Sequence, residues 1–304
     1  MRYVEAGGER ISVIGLGTWQ FGSGEWGYGG DYAERTAGQI VNRALDLGIN
    51  LIDTAELYGF GRSERIIGRA IAGRREHAFL ATKAFPVLPF PFVIGRRARG
   101  SARRLLVEQL DLYQLHFPNP LVPASTQLGG LRRLRERGLI RQAGVSNYSL
   151  EAWQRADRAL GSPVLSNQVS YSLLQQQPRA DLVPFAQREG RVLIAYSPLS
   201  QGALSGRYGP GRLPSGRIRR LNPLFRRPER LAALGAELEA VGQRHAATPS
   251  QVALAWLVNQ PQVVAIPGAS SVAQLEENAA AGDLRLETED IVRLDAAATR
   301  FHAA

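Results

Sequence analysis

The chain has 304 residues, of which 44% are hydrophobic and 21% are charged, a composition typical of a globular protein. It contains no cysteine, which excludes disulfides, thiolate catalysis and cysteine-ligated metal sites. No stretch approaches the roughly 20 apolar residues of a membrane span, and residues 1–10 lack the apolar region of a secretory signal. We therefore expect a cytoplasmic protein that does not act at a membrane.

The formal net charge of +10 raises the question of nucleic-acid binding. The arginines occur in short clusters, at 96–104 and 132–137, where they share predicted helices with leucines as on solvated helix faces. No recognised nucleic-acid motif accompanies them, and a high arginine content also fits a GC-rich genome. We predict no nucleic-acid partner, and the sequence leaves the oligomeric state open.

In chain order, the pattern is a hairpin followed by a repeated unit of one short apolar strand and one amphipathic helix. The hairpin covers residues 2–13 with its turn at Gly7–Gly8. Strands are predicted at 14–17, 51–54, 79–83, 111–116, 142–146, 165–169, 192–196 and 263–266. Helices are predicted at 33–47, 63–71, up to about 110, and at 128–137, 150–160, 182–189, 228–245, 249–259, 272–281 and 289–298.

Eight strand–helix units without a break in composition predict one α/β domain over residues 1–304. The expected fold is a (β/α)8 TIM barrel with an N-terminal β-hairpin and extra C-terminal helices. The alternative is two smaller α/β domains divided near the stretch 207–228, which is rich in proline and arginine. No long polar linker favours that division, and we interpret the stretch as a long active-site loop.

Four chemically useful side chains fall where a TIM barrel carries its functional residues, at the carboxyl ends of strands or just beyond them. Asp53 ends the second predicted strand and Tyr58 lies in the loop after it. Lys83 ends the third strand and His116 ends the fourth. Lys83 is the single lysine among 37 lysines and arginines, which suggests a role that requires a compact ammonium group.

These residues suit proton donation to a carbonyl oxygen. A tyrosine titrates near ~10, and a nearby ammonium lowers that value, so Lys83 held by Asp53 would make Tyr58 a better acid. His116 would position the carbonyl oxygen by a hydrogen bond. The structural alternatives are that Asp53 and Lys83 form an ion pair beneath a loop without a catalytic role, and that His116 is a core histidine bonded to the backbone. Carbonyl reduction also requires a hydride source, hence a nicotinamide cofactor. No metal-ligand spacing is present.

The segment Gly22–Gly27 matches the G-x-G-x-x-G pattern, but it lies several residues past the first strand and does not open a helix directly. We therefore interpret it as a flexible loop over the barrel mouth, with Trp19 and Trp26 as candidate substrate contacts. The loops after strands seven and eight are the expected anion site, because one is rich in glycine and serine and the other leads into a helix N-terminus.

The chain resembles the aldo-keto reductase family along nearly its whole length, through motifs in family order. They are Gly15–Trp19, Asp53–Ala55 with Tyr58–Gly59 and Ser63–Glu64, Ala81–Lys83, Asp111–His116, Gly144–Asn147, Asn167–Gln168, Tyr196–Leu199 and Glu276–Asn278. The resemblance implies a (β/α)8 barrel and NADPH-dependent reduction of aldehydes or ketones. It also implies a catalytic tetrad of Asp53, Tyr58, Lys83 and His116, with Tyr58 as the acid.

The resemblance further implies the cofactor contacts. Ser146, Asn147 and Gln168 would bind the carboxamide, Tyr196 would stack on the nicotinamide, and the loop from Ser197 to Arg207 would cover the pyrophosphate. Glu277 and Asn278 would contact the adenine. The remaining candidates are Gly17, Thr18, Trp19, Asp53, Pro198, Leu199, Gln201, Gly202, Leu204, Ser205, Ile266, Pro267, Gly268, Ser270 and Gln274. The expected substrate pocket, for a small-molecule carbonyl, contains Trp19, Trp26, Phe85 and Phe117.

One departure concerns the cofactor. Family members that strongly prefer NADP often carry a cation just after strand eight, whereas Gly268, Ser270, Ser271 and Gln274 stand there. We predict NADP(H) with NAD(H) usable, and Arg207 or Arg212 as candidates to reach the 2′-phosphate. The alternative function is a non-catalytic NADP-binding barrel that serves as a redox-sensing regulatory subunit.

Overall fold

The computed structural model describes residues 1–22, 31–214 and 221–303. Its centre is one sheet of eight parallel strands in which each strand pairs with the next in sequence, so the predicted (β/α)8 barrel is confirmed. The strands are β3 (Leu16–Gly17), β4 (Leu51–Asp53), β5 (Phe79–Ala84), β6 (Leu110–Leu115), β7 (Ile140–Ser146), β8 (Ser166–Ser170), β9 (Val192–Tyr196) and β10 (Val263–Ala265).

The barrel closes between its first and last strands. Parallel bridges join Ile14 to Ala265 and Gly17 to Gly268, and the Gly15 amide donates to the Ala265 carbonyl at 2.8 Å. A Cβ atom on Gly17 would lie 2.6 Å from the Ile266 carbonyl oxygen. Glycine is therefore required at position 17 for the two strands to approach closely enough to close the barrel.

Helices pack around this barrel. They are α1 (Asp31–Asp46), α2 (Arg62–Ala70), α3 (Pro91–Leu105), α4 (Ala124–Glu136), α5 (Leu150–Leu160), α6 (Leu182–Arg188), α7 (Pro228–Arg244), α8 (Pro249–Val258), α9 (Val272–Ala280) and α10 (Thr288–His302). Local signals start several of them. Thr248 and Gln251 form a capping box on α8, whose first residue is Pro249, and the Ser149 hydroxyl caps α5.

The predicted hairpin is present as the antiparallel pair β1 (Tyr3–Ala6) and β2 (Glu9–Ser12). Ala6 and Ile11 are buried in the cluster that fills the barrel interior, with Leu51, Phe79, Ala81, Leu112, Leu165, Val192, Ile194, Val264 and Ile266. The amides of Gln142 and Gln262 bond the Gly7 and Glu5 carbonyls, at 3.0 and 3.3 Å. Since Gln142 is near the start of β7 and Gln262 precedes β10, the hairpin covers the amino-terminal end of the barrel.

The helix after β5 ends earlier than the sequence pattern predicts. We expected it to continue to about Leu110, but α3 ends at Leu105 and Leu106 adopts a left-handed conformation with φ 58°. The Leu110 amide already bonds the Leu139 carbonyl at 2.9 Å, as part of β6. The apolar pattern of the sequence therefore continues from α3 across the turn into β6, because buried residues of a helix and a strand can share one pattern.

Within the expected loop 207–228, residues 215–220 lie outside the described part, and a short 3₁₀ helix covers Pro223–Arg226. Among the described residues, no helix has both the length and the apolar content to cross a membrane. The same residues contain no group of three or more His, Cys, Asp and Glu side chains that could hold a metal ion.

Candidate active site

A buried ion pair lies at the centre of the carboxyl-terminal rim. Asp53 is the last residue of β4 and Lys83 lies in the adjacent strand β5, which places Lys83 Nζ 2.5 Å from Asp53 Oδ1 and 2.9 Å from the Thr54 carbonyl. The side chains are 0% and 2% exposed. Burial by itself lowers the pKa of Lys83, but the Asp53 carboxylate and the Tyr58 hydroxyl together more than reverse that effect, so the pKa is raised and the ammonium persists.

Tyr58 lies in the turn after β4, with its hydroxyl 3.4 Å from Lys83 Nζ. Gly22 packs against the Tyr58–Gly59 backbone so closely that a Cβ atom there would overlap it, which explains this glycine better than a dinucleotide fingerprint does. Residues 23–27 of that motif lie outside the described part. The sequence alone predicts a lowered pKa for Tyr58. In the structure burial raises the pKa, and Lys83 offsets the rise only in part.

His116 directly follows β6, and its amide bonds the Ala84 carbonyl at 2.9 Å. Its ring stands edge-on to Tyr58 with centroids 6.2 Å apart. Burial, together with the Lys83 charge, lowers the pKa of His116 to about 3, so the imidazole is neutral at ordinary pH. Its Nδ1 atom is buried with no hydrogen-bond partner among the described residues. The structure thus places all four predicted catalytic residues on one rim.

The second carboxylate oxygen of Asp53 is held by two glutamines. Gln168 Nε2 donates to Oδ2 at 2.8 Å and Gln114 Nε2 at 3.5 Å. Gln168 was predicted as a carboxamide contact, whereas its amide nitrogen is directed at Asp53. Gln114 was missed, although a glutamine two residues before His116 in an otherwise apolar strand is a visible signal. Its Oε1 is buried and has no partner among the described residues.

The predicted carboxamide contacts form a connected group at the ends of β7 and β9. Asn147 adopts a left-handed conformation with φ 62°, and its Nδ2 donates to the His116 carbonyl at 3.2 Å and to Ser146 Oγ at 3.0 Å. Its Oδ1 accepts from the Tyr196 hydroxyl at 3.0 Å. Asn147 therefore connects the backbone of His116 to the aromatic residue that was predicted to stack on nicotinamide.

The loop after β9 has a strained backbone. Ser197, Ser200, Gln201 and Gly202 have φ of 51°, 49°, 58° and 95°, so three non-glycine residues are left-handed, each at a cost of roughly 1–3 kcal/mol. Such strain concentrates at ligand-binding sites, and successive turns of this kind direct backbone N–H groups into a concave anion site. The Leu204 side chain is buried in the core below and anchors the loop.

The loop after β10 is held from beneath. Asn278 is buried and its Nδ2 donates to the Gly268 carbonyl at 3.2 Å. The Ser270 amide and hydroxyl both donate to Gln274 Oε1, at 2.8 and 2.9 Å. Glu277 accepts from the Thr248 hydroxyl at 2.7 Å and lies 4.0 Å from the exposed Arg207 guanidinium. Ile266 and Pro267 lead into this loop directly after β10.

The candidates after β3 have structural contacts of their own. Thr18 is fully buried. Its hydroxyl donates to the Asp53 carbonyl at 2.8 Å and lies 2.8 Å from Ser63 Oγ. Trp19 begins a 3₁₀ turn and is 47% exposed at the mouth. The remaining cofactor candidates, Pro198, Leu199, Gln201 and Ser205, lie within or beside the strained loop after β9, where Ser205 Oγ donates to the Gly202 carbonyl at 2.7 Å.

The predicted substrate pocket is partly visible as an aromatic wall. The Phe117 ring stacks on His116 with centroids 4.8 Å apart and planes at 8°. Phe85 stands edge-on to both, at 6.4 and 6.3 Å. Trp26, the fourth predicted member, lies outside the described residues. The wall would face a bound substrate at the side of the site formed by the loops after β5 and β6.

Comparison with known proteins gives consistent matches. Residues 13–299 match the model described as the Aldo/keto reductase family. An oxidoreductase of Mycobacterium tuberculosis is 53% identical over 304 residues, covering 99% of this chain and 94% of the relative. The glycerol dehydrogenase of Gluconobacter oxydans is 30% identical with a TM-score of 0.90, covering 99% and 96%. An aldo-keto reductase of Klebsiella pneumoniae in complex with NADPH is 30% identical with a TM-score of 0.80, covering 97% and 94%.

Proposed function

Because the chain belongs to the aldo/keto reductase family, we propose that it uses NADPH to reduce the carbonyl group of an aldehyde or ketone to an alcohol. One observation carries the proposal: the buried Lys83 ammonium lies between Asp53 Oδ1 and the Tyr58 hydroxyl, at 2.5 and 3.4 Å. A related chain from Klebsiella pneumoniae was crystallised with NADPH, which supports the choice of cofactor.

The residues around the mouth fit a nicotinamide dinucleotide. The strained loop after β9 and the N-terminus of α9 offer backbone N–H groups to a pyrophosphate or phosphate. The Tyr196 ring, oriented by Asn147, offers a flat surface for the nicotinamide, and Glu277, near Arg207, would contact the adenine. When bound, NADPH supplies the hydride that reduces the carbonyl carbon.

Tyr58 would donate the proton in this reaction. Its raised pKa keeps the hydroxyl protonated at neutral pH, as a proton donor requires. As the proton leaves for the carbonyl oxygen, the Lys83 ammonium stabilises the developing phenolate. Asp53 keeps that ammonium in place, and Gln168 keeps Asp53 in place. The pair is preorganised, so little rearrangement is needed when charge develops.

His116 would orient the carbonyl. A neutral imidazole carries an N–H group on one ring nitrogen and can donate it to the carbonyl oxygen without competing for the Tyr58 proton. The stacked Phe117 ring and the edge of Phe85 cover part of the imidazole and fix its plane. The carbonyl oxygen would then be held between His116 and Tyr58, whose rings are 6.2 Å apart.

The direct test replaces Tyr58 with phenylalanine and follows NADPH oxidation with a panel of aldehydes and ketones. Loss of the proton donor should lower kcat by about 10²- to 10⁴-fold while NADPH still binds. Tyr113→Phe is a matched control, because the Tyr113 hydroxyl is buried and has no hydrogen-bond partner among the described residues. That variant should retain full activity.

Equal inactivity of the wild type and Tyr58→Phe across the panel, with NADPH still bound, would contradict the proposed reaction. It would favour the alternative of a non-catalytic NADP-binding barrel that senses redox state for a partner. A strong loss in Tyr113→Phe would instead show that the substitution acts through the fold.

A further inference from the structure

A groove on the outer surface of the barrel lies between α2 and α3. It has a volume of about 520 Å³, and six residues line it: Arg65, Arg69, Gly100, Arg103, Arg104 and Leu106. Four of these residues carry a guanidinium group and none carries a carboxylate. The sequence pattern predicts the arginines at 96–104 as part of a solvated helix face, whereas the structure places two of them in one cavity with arginines of a second helix.

This groove is separate from the expected cofactor site. The helices α2 and α3 follow β4 and β5, whereas the loop expected to cover the cofactor pyrophosphate follows β9. Because each strand pairs with the next in sequence, β5 and β9 are four strands apart in the eight-stranded barrel and lie on opposite sides of it. The arginines of the groove are therefore not explained by binding of the dinucleotide.

Arg104 is held in place at the wall of the groove. Its Nε donates to Glu64 Oε2 at 2.6 Å and its Nη2 donates to Ser101 Oγ at 3.3 Å, while Nη1 has no hydrogen bond to any described residue. Two glycines make room for the side chain. A Cβ atom would lie 2.5 Å from Arg104 Nε at Gly61 and 3.2 Å from Nη1 at Gly100. Because this guanidinium is already ordered, a ligand that accepts from Nη1 would cost little additional side-chain entropy.

Two of the four guanidinium groups have no acidic partner. Arg69 pairs with Glu34 at 2.9 Å on the surface. The side chains of Arg65 and Arg103 are exposed and form no ion pair or hydrogen bond within the described part of the chain. Arg65 and Arg69 are also four residues apart on α2, a spacing at which like charges destabilise a helix. The groove thus has two positive charges that a bound anion would neutralise.

The helix dipole accounts for only part of this arrangement. Arg69 lies in the last turn of α2, and Arg103 and Arg104 lie in the last turn of α3, where a helix C-terminus stabilises cations. Arg65 lies in the first half of α2, where the dipole does not favour a cation. A bound anion accounts for the position of Arg65 beside the other three arginines, whereas the dipole does not.

The size and lining of the groove favour a small compound with phosphate groups. Its volume falls within the roughly 300–1,000 Å³ that is usual for small-molecule sites. No aromatic side chain lines it, so the bases of a nucleic acid would have no surface to stack on. A guanidinium group binds two phosphate oxygens through parallel hydrogen bonds, so several guanidinium groups around one cavity suit adjacent phosphates.

We propose that the groove between α2 and α3 binds a small soluble compound that carries two or more adjacent phosphate groups. The four arginines would hold the phosphate oxygens, and the unpaired charges of Arg65 and Arg103 would neutralise them. This inference does not depend on the proposed reduction, because the groove shares no residue with the candidate active site.

The test is calorimetric titration of the NADP⁺-saturated protein with inorganic pyrophosphate at low ionic strength. Saturation with NADP⁺ blocks the cofactor site, which is itself an expected anion site. One pyrophosphate should bind per chain, and inorganic phosphate should bind at least about tenfold more weakly because it makes fewer charge-assisted contacts. Absence of binding, or equal affinities for the two anions, would overturn the proposal.

Variants locate the binding. Arg65→Gln combined with Arg103→Gln removes the two unpaired charges and should raise the dissociation constant of pyrophosphate by about tenfold or more. Arg133→Gln combined with Arg137→Gln is the matched control, because it removes the same charge from exposed positions at the end of α4, outside the groove. The control should keep its affinity. No loss in the first variant, or an equal loss in the control, would contradict the role of the groove.

A short thymidine oligonucleotide tests the main alternative occupant. It should gain no affinity from the groove, so its binding to the wild type and to the variant that lacks the Arg65 and Arg103 charges should be alike. If the oligonucleotide bound more tightly than pyrophosphate and lost that advantage in the variant, the groove would belong to a nucleic acid and the proposal would be overturned.

Discussion

At the scale of single residues, the buried position of Lys83 explains why the chain places its one lysine there. Its side chain is fully enclosed between Asp53, the Thr54 carbonyl and Tyr58. A guanidinium group is planar and larger, so it could not replace a point charge in that space without displacing Tyr58. Arginine serves at every other strongly basic position in this chain.

Lys83→Met should abolish reduction and destabilise the protein by about 3–5 kcal/mol, because the Asp53 charge would remain buried without its partner. Urea denaturation of the variant measures the change. Combining Lys83→Met with Asp53→Asn should recover much of the stability but none of the activity. A double variant no more stable than the single one would contradict this account of the pair.

The pH dependence of reduction follows from Tyr58 and His116. The Tyr58 pKa is raised, so its donor form persists upward in pH, and the His116 pKa of about 3 keeps the imidazole neutral above about pH 4. We expect kcat/KM to be flat from about pH 5 to 9 and to fall only as Tyr58 loses its proton at higher pH. A fall centred near pH 6.5 would show that His116 titrates at its ordinary value.

At the scale of elements, the loops after β9 and β10 hold the candidate anion site without a fixed cation. Residues 266–278 contain no lysine or arginine, and Ser270 is oriented by Gln274. Arg207, in the segment after the β9 loop, lies 4.0 Å from Glu277 and has a side chain that is 69% exposed. The site can therefore favour a phosphate through hydroxyl groups, the α9 N-terminus and one exposed arginine.

NADPH should accordingly bind more tightly than NADH, by a modest factor, with NADH still usable. Substitution of Arg207 or Arg212 with glutamine should reduce the ratio of the NADH to the NADPH dissociation constant. For the arginine that contacts the phosphate, the reduction should be up to about fivefold, as expected for an exposed charge. Dissociation constants for both dinucleotides measure this. Equal affinities in the wild type would disprove the preference.

Much of the fold followed from local patterns, and the rest depended on packing. Strand–helix alternation predicted the barrel, and barrel topology then placed Asp53, Lys83 and His116 on one rim. The contact of Gln168 with Asp53 joins strands 115 residues apart, so no local pattern reports it. The direction of the Tyr58 pKa shift also needed coordinates, since it depends on how completely the phenol is removed from water.

At the scale of the whole molecule, the hairpin contributes to the core as well as covering it. Ile11 is 1% exposed and packs in the cluster inside the barrel. Ile11→Ala should therefore cost about 2–5 kcal/mol in unfolding free energy, because the cavity would lie among residues from several strands. Chemical denaturation measures it, with Val4→Ala, a half-buried neighbour on β1, as a control that should cost less. Equal effects would contradict a specific role for Ile11.

The hairpin that covers the amino-terminal end of the barrel also determines how molecules reach the site. Ala6 and Ile11 fill the amino-terminal end, so dinucleotide, carbonyl, alcohol and water all exchange with solvent through the rim that carries Tyr58. Inhibition therefore does not require contact with the reacting groups. A compound that bridged the aromatic wall of Phe85 and Phe117 beside His116 to the loop after β9 would obstruct entry and exit together.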